Sequence, residues 1–142
     1  AAIDELVRLA QSKRRINSTA TLADRAHSHL EVARAEAALR SARAFYYESI
    51  EAAWLVAQAG EKVSIDQRRD IRLATTHAVE ASIKTVDAMY TLGGGSAVYA
   101  DSALQRHFRD VHMTSQHIMV APSTLETVGR LYLGVEAQTA TL

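Results

Sequence analysis

The chain has 142 residues, with 16 basic and 16 acidic side chains and a formal net charge of zero. This length is enough for one domain with a buried core. The balanced charge gives no support for binding nucleic acid or a membrane surface through bulk charge. Cysteine is absent, which excludes disulfides and thiolate metal sites and favours a cytoplasmic location. No apolar run approaches the ~20 residues of a membrane span.

The composition favours helices throughout. Only one proline and six glycines interrupt the chain, and the dominant residues are strong helix formers. Apolar residues recur three and four positions apart, which is typical of amphipathic helices. The sequence therefore predicts an all-α fold, an antiparallel four-helix bundle with a short extra C-terminal helix.

Five helices follow from this periodicity. In chain order they are Ala2–Arg15, Leu22–Ala59, Ser64–Leu92, Asp101–Val120 and Ser123–Gly134. At ~1.5 Å per residue, the second helix would be about 55 Å long, a length typical of bundles and oligomers.

Residues at the helix ends support these boundaries. Gly60 and Gly93 are placed as stops. Ser64 and Ser123 are each followed three residues later by Gln or Glu, the capping-box pattern, and Thr21 is a third N-cap. No cap precedes Ala1, where the helical pattern has already begun. We therefore expect residues 1–142 to be a single helical-bundle domain that is part of a longer protein.

The histidines do not predict a metal site. Carboxylate-bridged metal bundles need Glu three residues before a His, and none of the six histidines has one. His27 has only Asp24 at that position.

Three consecutive glycines, Gly93, Gly94 and Gly95, follow the third predicted helix. They follow a helix and not a strand, so they are not a dinucleotide or phosphate-loop signature. One glycine is explained by helix termination. The others would allow a flat ligand or another backbone to come close, and the residues alone favour neither.

A polar stripe marks the fourth predicted helix. Arg106, Asp110, Met113 and His117 are spaced to lie on one face. His117 would lie one turn from the predicted helix end, where the helix dipole favours its protonated form. A lone histidine is more often structural than catalytic, so both interpretations stay open.

The segment from Leu92 to Pro122, LGGGSAVYADSALQRHFRDVHMTSQHIMVAP, resembles a known family. It is similar to the C-terminal domain of acyl-CoA dehydrogenase-fold, flavin-dependent two-component monooxygenases, such as the p-hydroxyphenylacetate and steroid-phenol hydroxylases. The resemblance extends to LADRAHSHLEVARAEAALRSARAFYYESIEAAW and to TLETVGRLYLG, and so covers most of the chain.

This resemblance implies a function. In the family the domain is a four-helix bundle at the core of a homodimer or homotetramer. Reduced FMN or FAD, supplied by a separate flavin reductase, binds between the bundle and a preceding β-domain, partly across a subunit boundary. The enzyme uses the flavin and O2 to hydroxylate a small aromatic substrate, without a metal.

The resemblance also implies site residues. Gly93 and Gly94 match glycines near the flavin. Arg14 or Arg15, of which we assign Arg15, matches a basic residue near the flavin phosphate. His117 matches a histidine close to flavin and substrate, and is the predicted catalytic group, as a hydrogen-bonding or acid-base residue.

Two other functions remain as alternatives. An acyl-CoA dehydrogenase needs a base to remove a proton α to a thioester. The family's usual catalytic Glu is missing, because no Glu or Asp occurs from Val111 through Leu125, although some dehydrogenases place the base on another helix. The second alternative is a helical interaction module without a cofactor. We expect the isolated chain to be oligomeric, catalytically inactive and weak at binding flavin.

Overall fold

The computed structural model describes residues 1–14, 18–140 and 142. Within these residues the chain forms five helices: α1 (Ala2–Ser12), α2 (Ala26–Gln58), α3 (Ile65–Gly93), α4 (Ala103–Thr114) and α5 (Pro122–Tyr132). Short 3₁₀ turns occupy Leu22–Asp24, Gly94–Ser96 and Ile118–Val120. The described residues form no β-sheet, and the all-α prediction is confirmed. None of their helices has the length and apolar character needed to cross a membrane.

The chain divides into two compact units. The first contains Ala1–Leu39 and Ala81–Met113, and the second contains Arg40–Glu80 and Thr114–Leu142. Helices α2 and α3 therefore each contribute one part to each unit.

The core of the first unit draws on four helices. Its largest fully buried side chains are Leu6 on α1 and Met89 on α3, and many of its other residues are alanines. Such small side chains allow helix backbones to approach closely, so the buried contacts come mostly from short side chains. The buried core residues are Ala2, Ile3, Leu6, Ala10, Leu22, Ala35, Met89, Ala97 and Leu104.

In the second unit, arginines near the start of α3 hold the end of the chain. Two of them donate hydrogen bonds to backbone carbonyl oxygens, and a third lies over an aromatic ring, an arrangement that favours cation–π attraction. The contacts are Arg72 Nη1 to Met119 O (2.8 Å), Arg68 Nη2 to Thr139 O (2.9 Å), and the Arg69 guanidinium to the Tyr132 ring centroid (4.1 Å).

The connection between α2 and α3 follows the prediction closely. Helix α2 ends at Gln58, and Gly60 has φ +75°, the left-handed conformation that favours glycine. The Ser64 N–H donates to Gln67 Oε1 at 2.9 Å, and the Gln67 N–H donates to Ser64 Oγ at 3.2 Å. This reciprocal pair is the predicted capping box.

The region between α1 and α2 differs from the prediction. Helix α1 ends at Ser12 and not at Arg15, because Lys13 turns into extended backbone (φ −70°, ψ 125°). Its carbonyl then accepts a hydrogen bond from the Leu22 N–H at 2.7 Å. Helix α2 begins at Ala26 and not at Leu22.

Thr21 caps the short turn Leu22–Asp24 and not α2 itself. Its N–H and its Oγ1 both donate to Asp24 Oδ2, each at 2.7 Å. These hydrogen bonds hold the pKa of Asp24 below its usual value. The cap therefore forms at the predicted residue but on a different element.

The fourth and fifth helices also differ from the prediction. Helix α4 ends at Thr114 and not at Val120, since a new 3₁₀ turn begins after His117. Helix α5 has Pro122 at its first position and Ala121 as N-cap, so Ser123 is not the cap. The fixed φ of proline suits the first turn of a helix, where its missing N–H costs nothing.

Leu6 tests the core of the first unit. The residue is 1% exposed, and truncating a buried Leu to Ala costs about 2–5 kcal/mol. We expect Leu6→Ala to lower the free energy of unfolding by that amount in urea denaturation. Leu133, which is 80% exposed, provides the matched control. Leu133→Ala should change the free energy of unfolding by less than about 0.5 kcal/mol. Equal effects of the two substitutions would contradict this core.

Candidate functional site

The three glycines after α3 have three different environments. Gly93 is buried, and a Cβ there would lie 2.8 Å from Leu104 Cδ1 and 2.9 Å from Ala97 Cβ. These distances are shorter than real Cβ contacts, so only glycine fits. The requirement at Gly93 is therefore close packing within the protein.

Gly94 and Gly95 face outward. Gly94 has φ +48°, a left-handed conformation that other residues adopt only with strain, and a Cβ there would lie 3.8 Å from Lys13 Nζ. A Cβ at Gly95 would meet nothing within 4 Å. Both glycines thus present bare backbone at the surface.

This backbone lines an open groove of about 880 Å³ in the first unit. Four basic residues line the same groove, namely Lys13, Arg14, Arg25 and His27. No carboxylate is among the residues that line it. We call it the cationic groove, defined by these four residues together with Gly94, Gly95, Ser96 and Tyr99.

Lys13 connects the end of α1 to the glycine turn. Its Nζ donates one hydrogen bond to the Gly93 carbonyl and a second to Ser96 Oγ at 2.7 Å. Burial lowers the pKa of Lys13, and the neighbouring Arg25 charge lowers it further. The sequence analysis missed Lys13, although its position just before the arginine pair was a usable signal.

The other three basic side chains of the groove form no salt bridge within the described part of the chain. The side chains of Arg14, Arg25 and His27 make no hydrogen bond to a described residue, and only the charge of Arg14 acts on a carboxylate, lowering the pKa of Asp24. Arginines without a salt-bridge partner among the described residues concentrate positive potential beside bare backbone, which favours a phosphate or carboxylate group. Arg14 was one of the two predicted phosphate residues, and the other, Arg15, lies outside the described residues.

The groove fits the phosphate-bearing end of a flavin. Arg14 and Arg25 carry the planar guanidinium that pairs with phosphate oxygens in a bidentate manner. The bare backbone at Gly94 and Gly95 leaves space that a side chain would fill. The residues present therefore suit this cofactor at its anionic end.

His117 belongs to the second unit, whereas Gly93, Gly94 and Arg14 lie together in the first. It is exposed, and its Nδ1 accepts a hydrogen bond from the Met119 N–H at 3.2 Å. This Nδ1 carries no proton, so the neutral ring holds its proton on Nε2. The predicted place of His117 within the fourth helix was wrong, because α4 ends at Thr114.

The sequence analysis also missed a His–Asp pair in the first unit. His112 Nε2 on α4 lies 2.9 Å from Asp87 Oδ1 on α3. Phe108 stacks on Tyr90, with ring centroids 4.5 Å apart, and packs against the His112 ring. The pair is separated by 25 residues in sequence, too far for a helical spacing rule to detect.

Within the ranges that the structure describes, no three His, Asp or Glu side chains lie close enough together to hold a metal ion.

Gly93 and Gly95 provide a matched pair of substitutions. Gly93→Ala places a methyl group against Leu104 and Ala97, and overpacking of this kind costs about 1–3 kcal/mol. Gly95→Ala has open space and should leave the free energy of unfolding within about 0.5 kcal/mol of the wild type. Urea denaturation measures both, and a Gly93→Ala protein as stable as Gly95→Ala would show that this packing is wrong.

Comparison with known sequences gives consistent matches. The chain is 38% identical over 134 residues to the indole-3-acetate monooxygenase of Pseudomonas putida, covering 94% of this chain and 34% of that protein. It is 29% identical over 136 residues to the indole-3-acetate monooxygenase of Acinetobacter baumannii, covering 96% of this chain and 35% of that protein. The chain thus spans about a third of the length of these relatives.

A solved structure and a family model complete the comparison. The 3-HSA hydroxylase from Rhodococcus sp. RHA1 matches with a TM-score of 0.87 at 20% identity, over 99% of this chain and 37% of that one. This match shows that the fold is shared and supports the predicted helical bundle. The model of the acyl-CoA dehydrogenase C-terminal domain matches residues 1–122. The chain therefore belongs to the acyl-CoA dehydrogenase C-terminal domain family.

Proposed function

We propose that this chain is the flavin-binding and oligomer-forming C-terminal domain of a flavin-dependent monooxygenase. The whole enzyme would hydroxylate a small aromatic substrate with reduced flavin and O2. The observation that carries the proposal is the cationic groove, in which two arginines that form no salt bridge to a described residue lie beside bare glycine backbone. The 38% identity to a protein named indole-3-acetate monooxygenase supports it.

Arg14 and Arg25 would hold the phosphate of reduced FMN or FAD. Each guanidinium can donate two parallel hydrogen bonds to phosphate oxygens. Gly94 and Gly95 would let the ligand approach the backbone, since no side chain stands there. We propose that Arg15 adds a further positive charge, as the resemblance to the family implies.

When bound, reduced flavin supplies the electrons that activate O2. A separate reductase would deliver it in reduced form. We propose His117 as the group of this chain that donates a hydrogen bond or moves a proton, and Nε2 is the atom that does so. Nε2 carries the proton because Nδ1 is engaged by the Met119 N–H, and it makes no hydrogen bond to a described residue.

Exposed apolar side chains support self-association and a larger parent protein. On α2, Trp54 and Leu55 are 60% and 59% exposed. Large apolar side chains on an exposed face often mark an interaction surface. We therefore propose that the domain works as part of a longer, oligomeric flavoenzyme, in keeping with the length of its relatives.

An acyl-CoA dehydrogenase is the second candidate, because the matching family model carries that description. The absence of Glu and Asp from Val111 through Leu125 argues against it. Bleaching of an FAD-loaded, full-length protein by an acyl-CoA would favour the dehydrogenase. A helical interaction module would bind no flavin at all, which a titration with reduced flavin would show.

The groove arginines predict how flavin binding depends on charge. We expect Arg14→Gln and Arg25→Gln each to weaken binding of reduced FMN about tenfold, because each removes a charge-assisted contact. The loss should shrink as salt is raised. Isothermal titration of the full-length protein at two ionic strengths measures both effects. Lys62 is exposed and does not line the groove, so Lys62→Gln is the control. If the arginine variants lose no more affinity for reduced FMN than Lys62→Gln does, the groove is not the flavin site.

His117 predicts a change in turnover without a change in flavin binding. In the full-length enzyme, His117→Ala should lower the hydroxylation rate of indole-3-acetate or a phenol by about 100-fold or more if the residue acts as an acid or base. Reduced-flavin affinity should stay the same. The hydroxylation rate and the product formed per O2 consumed are the measurements, with His107→Ala on α4 as the control. Unchanged coupling of O2 to product in His117→Ala would remove the residue from the mechanism.

A further inference from the structure

The ammonium of Lys13 completes the C-terminal end of α3. The last carbonyls of a helix lack intrahelical donors, and a basic side chain can satisfy them. Lys13 Nζ donates to the carbonyl of Gly93, the last residue of α3, although the two residues are 80 positions apart. A positive charge is also favoured there by the helix dipole.

The backbone of Lys13 is fixed on both sides. Its N–H donates to the Leu9 carbonyl at 3.0 Å, and its own carbonyl accepts from the Leu22 N–H at 2.7 Å. The side chain therefore extends from a point anchored both to α1 and to the turn before α2. A long, flexible lysine is thereby restricted before any ligand arrives, which lowers the entropy cost of binding.

The turn after α3 is fixed at several points. The packing of Gly93 against Leu104 and Ala97 leaves its backbone no room to move. The Gly94 carbonyl accepts from the Ala97 N–H at 2.8 Å. Lys13 Nζ bonds the residues on either side of Gly94 and Gly95, namely the Gly93 carbonyl and Ser96 Oγ. The bare backbone in the groove thus lies between the two points that Lys13 holds.

We propose that Lys13 is a positioning residue for the cationic groove: by holding Gly93 and Ser96, it fixes the Gly94–Gly95 backbone at the position that an anion bound by Arg14 and Arg25 requires. The inference rests on the proposed function only in taking that anion to be a flavin phosphate. Two of the three ammonium donors are used by the turn, so Lys13 acts mainly through the backbone that it holds.

Keeping Lys13 charged at this position lowers the stability of the fold. Burial and Arg25 disfavour the ammonium, so the unfolded chain binds more protons than the folded chain between the lowered pKa and 10.5. Stability should therefore rise with pH in that window. A cap that served stability alone would not be placed beside another cation, whereas a groove prepared for an anion would be.

The test uses the chain with inorganic pyrophosphate as the probe, followed by NMR. In the ligand-free chain, Lys13→Met should speed exchange of the Ala97 amide, which closes the turn, and should weaken pyrophosphate binding about tenfold. Arg25→Gln should weaken binding to a similar degree and leave Ala97 exchange unchanged. The Gly93 carbonyl carbon shift should titrate below pH 10.5 in the wild type and not in Lys13→Met.

Two results would overturn the proposal. If Lys13→Met weakens binding but leaves Ala97 exchange unchanged, Lys13 is only an anion contact. If exchange rises and binding is unchanged, Lys13 is only a structural cap. Should Lys13→Met fail to fold, Ser96→Ala removes one of the two acceptors and should shift both readouts in the same direction by a smaller factor. If pyrophosphate gives the expected results but the full-length protein binds neither FMN nor FAD, the flavin assignment is refuted and Lys13 keeps its role.

Discussion

The close packing of Gly93 against Leu104 and Ala97 is the constraint on which the cationic groove depends. Because no side chain can stand at this position, α3 ends with its last residue pressed against the core of the first unit. The backbone must then leave in the left-handed conformation that Gly94 provides. Lys13 satisfies the carbonyl exposed by this ending, and so a packing requirement inside the core determines what an anion meets at the surface.

Features determined by neighbouring residues could be predicted from the sequence. The boundary between α2 and α3 is set by Gly60 and by the reciprocal hydrogen bonds of Ser64 and Gln67, all of which lie within a few residues of one another. The end of α4 could not be predicted, because the hydrogen bond from the Met119 N–H to His117 Nδ1 competes with continuation of the helix. Apolar spacing carries no information about such a bond.

For the groove, too, the sequence predicted features set by neighbouring residues and missed contacts between distant ones. Motif order identified the family, and the glycine triplet was recognised as more than a helix stop. The sequence could not show what each glycine does. Gly93 allows close packing, Gly94 adopts a left-handed conformation, and Gly95 is required for neither. It also could not pair Lys13 with the glycine turn, since the contact joins residues 80 positions apart. The roles of the site residues toward flavin and substrate stay predictions.

The end of the chain is held through its backbone. Arg68 donates to the carbonyl of Thr139, and Arg130 Nε donates to the carbonyl of Glu136. Every residue type offers the same carbonyl, so the side chains at these two positions are not what the arginines recognise. Related proteins could therefore vary freely in sequence along this segment and still keep its path, provided that the two arginines are retained.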